Sequence, residues 1–290
     1  MIAATLRRPQ TSRQQLTIFR LGQLASLVLA VTALSASPVP ETGTLDLGFR
    51  QLYNLQFSDA HQTFADFMRQ NPTDPMGPVS DAAAYLFSEF DRLRILQSEF
   101  WVHDEPLMDF RKPDADPAVK RQFEAALDRG QRLVDAQLAK DPDNANALMA
   151  ATLRMGLHSD YLALIEKKHL AALGEVKQSR GIAERLLAKH PEYYDAWLAV
   201  GVENYLLSLK PAPMRWLLQM TGARTDHDTG VAKLRLTAEK GHYLLPFARL
   251  LLAVNDMRQN NPAQAKAKLQ WLAAEFPNNR LYKEELAKLN

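Results

Sequence analysis

Apolar residues recur at intervals of three and four along most of the chain, the spacing that places them on one face of an α-helix. In the clearest run, Ile182, Leu186 and Leu187 share a face just before Pro191. Proline has no amide hydrogen and disfavours helical geometry in the residue before it, so this helix should end there. A second helix is predicted to begin near Tyr194. No alternating strand pattern competes with this one, and the chain is predicted to be all-α.

The same pattern, a helix that ends at a proline and is followed by a second helix, recurs along the chain. Helical runs end at four prolines, Pro72, Pro142, Pro191 and Pro277. Small residues recur at one position of each unit, which holds Gly48, Ala82, Thr152, Gly201 and Ala253. Further small residues, Ala60 and Ala265, precede Pro72 and Pro277 by the same interval. Residues 41–74 and 246–279 therefore fit a helix-turn-helix period of about 34 residues, with small side chains where helices cross.

Apolar and small side chains of the first unit follow a familiar order. They are Leu47, Gly48, Phe57, Ala60, Phe64 and Pro72. Together with Trp197 and Gly201, this order resembles the tetratricopeptide repeat (TPR). The resemblance implies a TPR-like right-handed superhelix (α-solenoid) of about five helical pairs with inserted helices, spanning residues 41–290. Proteins of this architecture are mostly scaffolds for other proteins.

Residues 201–234 carry a narrower resemblance. An apolar helix and a proline-containing break lead to Gly222, Asp226 and Gly230. The order is similar to that of the TPR-type family that contains inclusion-body-clearance and outer-membrane proteins and exported bacterial relatives. Ala223 and Thr225 depart from its pattern, which has an aromatic residue and a glycine there.

The amino terminus is predicted to be a secretory signal peptide over residues 1–36. A basic region with four arginines and no acidic residue precedes the apolar run Leu24 to Ala36. This run is shorter than the roughly 20 residues that cross a bilayer, which favours cleavage over an uncleaved signal-anchor. The protein is thus expected in the periplasm or at the cell envelope. Because the chain has no cysteine, lipoprotein anchoring, disulfides and thiol catalysis are excluded.

Charge and motifs narrow the function further. The net charge is +2, and removal of the four arginines of the signal leaves it near neutral, so nucleic acid is not an expected partner. No phosphate loop, nucleophile elbow or metalloprotease motif is present. Asp226, His227 and Asp228 form a TDHD sequence that is typical of a helix start rather than of a metal site. We therefore expect neither catalysis nor a cofactor nor a bound metal.

Two insertions separate the middle repeats, residues 158–175 and residues 210–230. Both are predicted to contain extra helical segments. In the second, the apolar stretch 214–220 is expected to cap or cover the superhelix; contact with a membrane surface, through this stretch or through the amino-terminal segment, is the alternative.

If the TPR resemblance holds, one set of side chains lines the inner wall of the superhelix. These residues are Phe49, Leu52, Leu86, Met149, Leu153, Leu198, Val202, Tyr205, Leu250, Val254 and Met257. Grooves that clamp a peptide carboxylate carry Lys, Arg and Asn at such positions, whereas this wall is apolar. Either the inserted helices fill the interior, which we favour, or the interior holds an apolar ligand or an amphipathic helix.

The predicted function is an exported, non-catalytic TPR scaffold with a protein or peptide partner. The alternative is a binding protein that carries a hydrophobic small molecule or lipid inside the superhelix. The two differ in one respect that a structure can address. A carrier requires an apolar cavity lined by the residues of the inner wall.

Overall fold

The computed structural model describes residues 44–97, 111–209, 216, 219–220 and 222–289. Within these ranges every regular element is helical, which confirms the all-α prediction. The predicted signal peptide, residues 1–36, lies outside the described residues. So do most of residues 210–221, which belong to the second predicted insertion.

Eleven α-helices lie within the described ranges, and each packs against the next along the chain. They are α1 (Leu45–Tyr53), α2 (Phe57–Gln70), α3 (Met76–Arg92), α4 (Pro117–Leu138), α5 (Ala145–Asp160), α6 (His169–Lys189), α7 (Trp197–Ser208), α8 (His227–Lys240), α9 (Leu245–Arg258), α10 (Pro262–Glu275) and α11 (Arg280–Lys288). A π turn (Tyr161–Ile165) follows α5, and a 3₁₀ turn (Tyr194–Ala196) precedes α7. Alternate helices also touch, α1 with α3 and α3 with α5.

Each of the four repeated prolines lies in a turn just beyond a helix. The helices that end before them are α2, α4, α6 and α10. Since proline cannot donate the hydrogen bond that would continue a helix, the chain reverses at these points and the next helix packs back on the last.

Small side chains sit where helices approach closely. A Cβ atom on Gly48 in α1 would lie 2.2 Å from the ring of Phe64 in α2. Gly201 in α7 faces the backbone of α8, where an added Cβ would lie 3.1 Å from the carbonyl oxygen of Gly230. Ala60, Ala82, Ala253 and Ala265 have no exposed surface. Any larger residue at these positions would push two helices apart.

The first predicted insertion does not form a separate helix. Instead, α5 continues through the π turn, and α6 begins at His169. Tyr161, Leu164 and Ile165 of this turn are buried, and the ring of Tyr161 stacks on that of Phe123 at 5.1 Å. The apolar stripe of α5 therefore extends instead of starting a new element, and the insertion lengthens an existing pair. The predicted helical segment at residues 158–175 is therefore present, but it belongs to α5, the π turn and α6 and does not form a helix of its own.

Within the stretch 214–220 of the second predicted insertion, the described side chains are exposed. Trp216 is 64% exposed and Met220 is 68% exposed. The expectation that the apolar stretch 214–220 caps or covers the interior is therefore wrong for these two residues.

The first helix lies against the last three. Arg50 pairs with Glu275 at 2.6 Å, and the Tyr53 hydroxyl donates to the carbonyl oxygen of Tyr243 at 2.8 Å. Asn279 in turn donates its amide to the carbonyl oxygen of Tyr53 at 2.8 Å. The two ends of the helical array thus meet, and apolar side chains that face inward are enclosed.

Among the described residues, no helix combines the length and the apolar character that a membrane crossing demands.

Candidate functional site

Two apolar cavities lie inside the helical array. The first cavity, of about 70 Å³, is bordered by residues of α1, α2, α3, α5, α9, α10 and α11. The second cavity, of about 90 Å³, is bordered by α5, α6, α7 and α9. Both exist because helices that pack in pairs leave space where non-neighbouring helices come together, and the side chains there do not fill it.

Eight of the eleven predicted inner-wall residues line these cavities. Those at the first cavity are Leu52, Leu250, Val254 and Met257. Those at the second are Met149, Leu153, Leu198 and Val202. Their spacing of three and four places the cavity-lining residues of each helix on one face of it.

The other three predicted wall residues do not line either cavity. Phe49 stacks on Tyr243 at 4.7 Å, because α1 packs directly against the turn before α9. Leu86 is buried close to Phe123 of α4. Tyr205 lies against His227 at 5.9 Å, at the contact between α7 and α8. Neighbouring elements therefore cover these three side chains.

The two cavities meet at a shared wall, which consists of Asp160, Phe247 and Leu251. Phe247 and Leu251 stand on successive turns of α9. The ring of Phe247 meets that of Phe87 edge-on at 6.0 Å. Asp160 is the last residue of α5, directly before the π turn. Because π turns widen a helix locally and are frequent at functional sites, this junction is the part of the interior most suited to a ligand.

Asp160 carries a carboxyl group with no partner. Among the described residues no hydrogen bond or ion pair reaches its side chain, and Asp160, which is partly buried, lines both cavities. Burial raises the pKa of the Asp160 carboxyl to about 7, because apolar surroundings disfavour the charged form. Near neutral pH this group can therefore donate a hydrogen bond as an acid or accept one as a carboxylate.

The other polar groups of the second cavity are satisfied by the protein itself. The hydroxyls of Thr152, Ser159 and Ser179 each donate to a backbone carbonyl oxygen at 2.7 to 2.9 Å. Asp195 accepts hydrogen bonds from the backbone amides of His242, Tyr243 and Leu244 at 2.8 to 3.1 Å. Asp195 thus holds the turn that leads into α9.

Apart from Asp160, the polar groups of the first cavity also have partners within the described part of the protein, except for the hydroxyl of Tyr282. Glu285 pairs with Lys288 at 2.8 Å, and Asn279 both donates to Tyr53 and accepts from the amide of Leu281. Tyr282 also lines this cavity, and no hydrogen bond from a described residue satisfies its hydroxyl. Burial raises the pKa of Tyr282, so its hydroxyl stays neutral.

Asp160 is missing from the predicted wall, although the sequence contains a signal for it. Met149, Leu153 and Gly156 follow the spacing of one helix face, and the next position on that face is Asp160. The first insertion was predicted to begin at residue 158, whereas α5 continues to Asp160. One more turn of helix would have placed the carboxyl inside.

The TDHD sequence begins a helix, as predicted. Asp226 caps α8 by accepting a hydrogen bond from the backbone amide of Thr229 at 2.8 Å. His227 contacts Asp228 at 3.1 Å and Asn255 at 3.0 Å. Within the described ranges, no group of three His, Asp or Glu side chains is arranged to hold a metal ion.

Comparison of the chain with protein-family models, with curated proteins and with solved structures found no match.

Proposed function

We propose that residues 41–290 form a TPR-like right-handed superhelix whose two ends meet. The pairwise packing of consecutive helices supports this architecture. So do the small residues at the helix contacts and the prolines after the helices. The apolar run with basic flank at residues 1–36 supports export of the protein to the periplasm or envelope.

The function that the geometry favours is non-catalytic binding of a small, mostly apolar molecule inside this superhelix. The main observation in support of this function is the pair of apolar cavities that share a wall at Asp160, Phe247 and Leu251. Neither cavity alone, at about 70 and 90 Å³, reaches the volume of the engineered apolar cavity of roughly 150 Å³ that binds benzene, but the two together do, so a ligand of that size must extend across the shared wall. The ligand is therefore about the size of a substituted benzene.

A peptide groove has less support. The contacts of α1 with α10 and α11 enclose the apolar wall that an amphipathic helix would need. The scaffold function remains a second candidate because Trp216 and Met220, four positions apart in the sequence, are both exposed. Exposed aromatic and methionine side chains are enriched at protein interfaces.

Two glycines offer a matched test of the interior site. An added Cβ on Gly156 in α5 meets no atom within 4 Å, and Gly156 lines the second cavity. Gly181 in α6 also has open space around it but is exposed on the surface. Gly156→Leu should therefore fill the cavity, whereas Gly181→Leu changes only helix propensity.

The probe is benzyl alcohol, titrated into the full 290-residue chain by calorimetry. We expect the unmodified protein and Gly181→Leu to bind it equally, and Gly156→Leu to bind at least tenfold more weakly. Absence of binding to the unmodified protein, or equal binding by both variants, would contradict an interior site.

Native mass spectrometry of the purified protein separates the two candidate functions. A small apolar adduct supports the binding protein. A polypeptide that co-purifies with the wild type and is lost in Trp216→Ala supports the scaffold.

A further inference from the structure

The chemistry of the shared wall restricts what the ligand can be. Both cavities are lined mainly by Leu, Val, Phe and Met side chains, so most of the ligand must be apolar. Of the carboxyl groups that line them, Asp160 alone lacks a partner among the described residues. It also borders both cavities at once. Asp160 is partly buried, and a carboxyl that is shielded from most of the solvent without a protein partner is costly unless water or a ligand pairs with it.

No described lining residue of either cavity is a lysine, arginine or histidine. The elements around Asp160 contribute only acidic or phenolic titratable groups to these linings. They are Asp195 before α7, Tyr53 of α1, and Tyr282 and Glu285 of α11. Glu285 and Asp195 already accept hydrogen bonds within the protein. The protein itself therefore provides no positive charge at the cavity wall to balance an ionised Asp160.

We propose that the ligand carries a single basic nitrogen, which binds as an ammonium to the carboxylate of Asp160, and that its apolar groups extend into the two cavities. This inference rests on the proposed function, since it specifies the ligand of the same site.

Charge balance favours an amine over the other polar groups that a small apolar molecule can carry. An ammonium neutralises the carboxylate and donates hydrogen bonds to it, which makes the bond shorter and stronger than one between neutral groups. An anion such as a fatty-acid carboxylate would be repelled by Asp160 and by its low-dielectric surroundings. A neutral alcohol makes only an uncharged or singly charged hydrogen bond. The aromatic ring of Phe247 in the same wall also suits a cation.

Three probes of nearly equal size test this chemistry: benzylamine, benzyl alcohol and benzoate. Each is titrated at about pH 8 into the full chain, into Asp160→Asn, and into Asp228→Asn as a control. Asp228 is also an aspartate, but its side chain is fully exposed and lines neither cavity. We expect benzylamine to bind the wild type and Asp228→Asn at least tenfold more tightly than benzyl alcohol does, and benzoate to bind most weakly.

In Asp160→Asn, the preference for the amine should vanish while benzyl alcohol still binds. Amine binding to the wild type should also strengthen about tenfold from pH 6 to pH 8 as Asp160 ionises, whereas binding of the alcohol should stay level. Equal affinity of the wild type for amine and alcohol, or an amine preference that survives in Asp160→Asn, would overturn the inference and leave the proposed function intact. If no probe binds the wild type, both are overturned.

Discussion

The contact between α7 and α8 and the space between α5 and α9 each contain glycine and lie beside an aspartate, but they are packed in opposite ways. At the α7–α8 contact, Gly201 faces backbone atoms of α8 at close range. At the same junction, Asp195 receives three backbone hydrogen bonds from the turn after α8.

Between α5 and α9, the corresponding residues have open space around them. A side chain at Gly156 would contact nothing within 4 Å, and no described residue pairs with Asp160. Burial raises the pKa of both aspartates, but three amide hydrogen bonds oppose the rise at Asp195 and none does so at Asp160. The first region thus stabilises the fold, and the second provides room and an unpaired polar group for a ligand.

The sharpest test of the dense region is Gly201→Leu. A leucine there would force α7 and α8 apart, because the added atoms meet the backbone near Gly230 and Leu234. We expect a loss of about 3 kcal/mol or more in the free energy of unfolding, the upper part of the range for overpacking. Urea denaturation measures it. An unchanged midpoint would mean that these helices are not in close contact.

Asp195→Ala should be nearly as harmful. It leaves the amides of His242, Tyr243 and Leu244 without an acceptor at the start of α9. Unsatisfied buried donors are costly, but removal of a buried carboxylate offsets part of this cost. We expect the free energy of unfolding to fall by about 2 to 3 kcal/mol. Urea denaturation of Asp195→Asn provides the control, because an amide oxygen keeps part of the acceptor capacity. If Asp195→Ala is as stable as the wild type, Asp195 does not hold this turn.

Asp160→Asn should act in the opposite direction. The folded pKa of Asp160 lies above its unfolded value, so the folded state holds the proton more tightly and stability falls as pH rises from about 4 to about 7. Above this window the wild type carries a buried charge that the variant lacks. We expect the difference in unfolding free energy between the variant and the wild type to shift in favour of the variant by about 2 kcal/mol from pH 5 to pH 8. Parallel urea curves for the two proteins at each pH measure this difference.

The smallest effect is expected for Gly156→Leu in the absence of ligand. Leucine has a higher helix propensity than glycine, and the cavity accepts its side chain, so stability should rise by about 0.5 to 1 kcal/mol. Gly181→Leu should show only the part of this stability increase that comes from helix propensity. A Gly156→Leu protein that unfolds at lower urea than the wild type would show that the second cavity is smaller than described.

Much of the fold could be predicted from the sequence because it depends on neighbours along the chain. Prolines end helices through their own covalent geometry, so Pro72, Pro142, Pro191 and Pro277 identify the turns directly. The spacing of apolar side chains gives the faces of the helices. The lengths of the helices were harder to predict, because α5 continues past Leu157 only when Tyr161 and Ile165 are buried by other helices.

The candidate site could be predicted only in part. Met149, Leu153, Leu198 and Val202 were assigned to the interior by their spacing, and they line the second cavity. Phe49, Leu86 and Tyr205 have the same spacing but are covered by adjacent helices. Spacing states which face a residue occupies, but it cannot state which element lies opposite.

What the sequence by itself determined is local: where helices begin and end, and which of their faces are apolar. Only the tertiary structure decided that α1 meets α10 and α11, that two cavities remain unfilled, and that Asp160 lies between them with no partner. The reason is that a helix face is encoded by residues three and four positions apart. A cavity, and the pKa of a carboxyl within it, instead depend on residues that are adjacent in space but lie up to about a hundred positions away in the sequence.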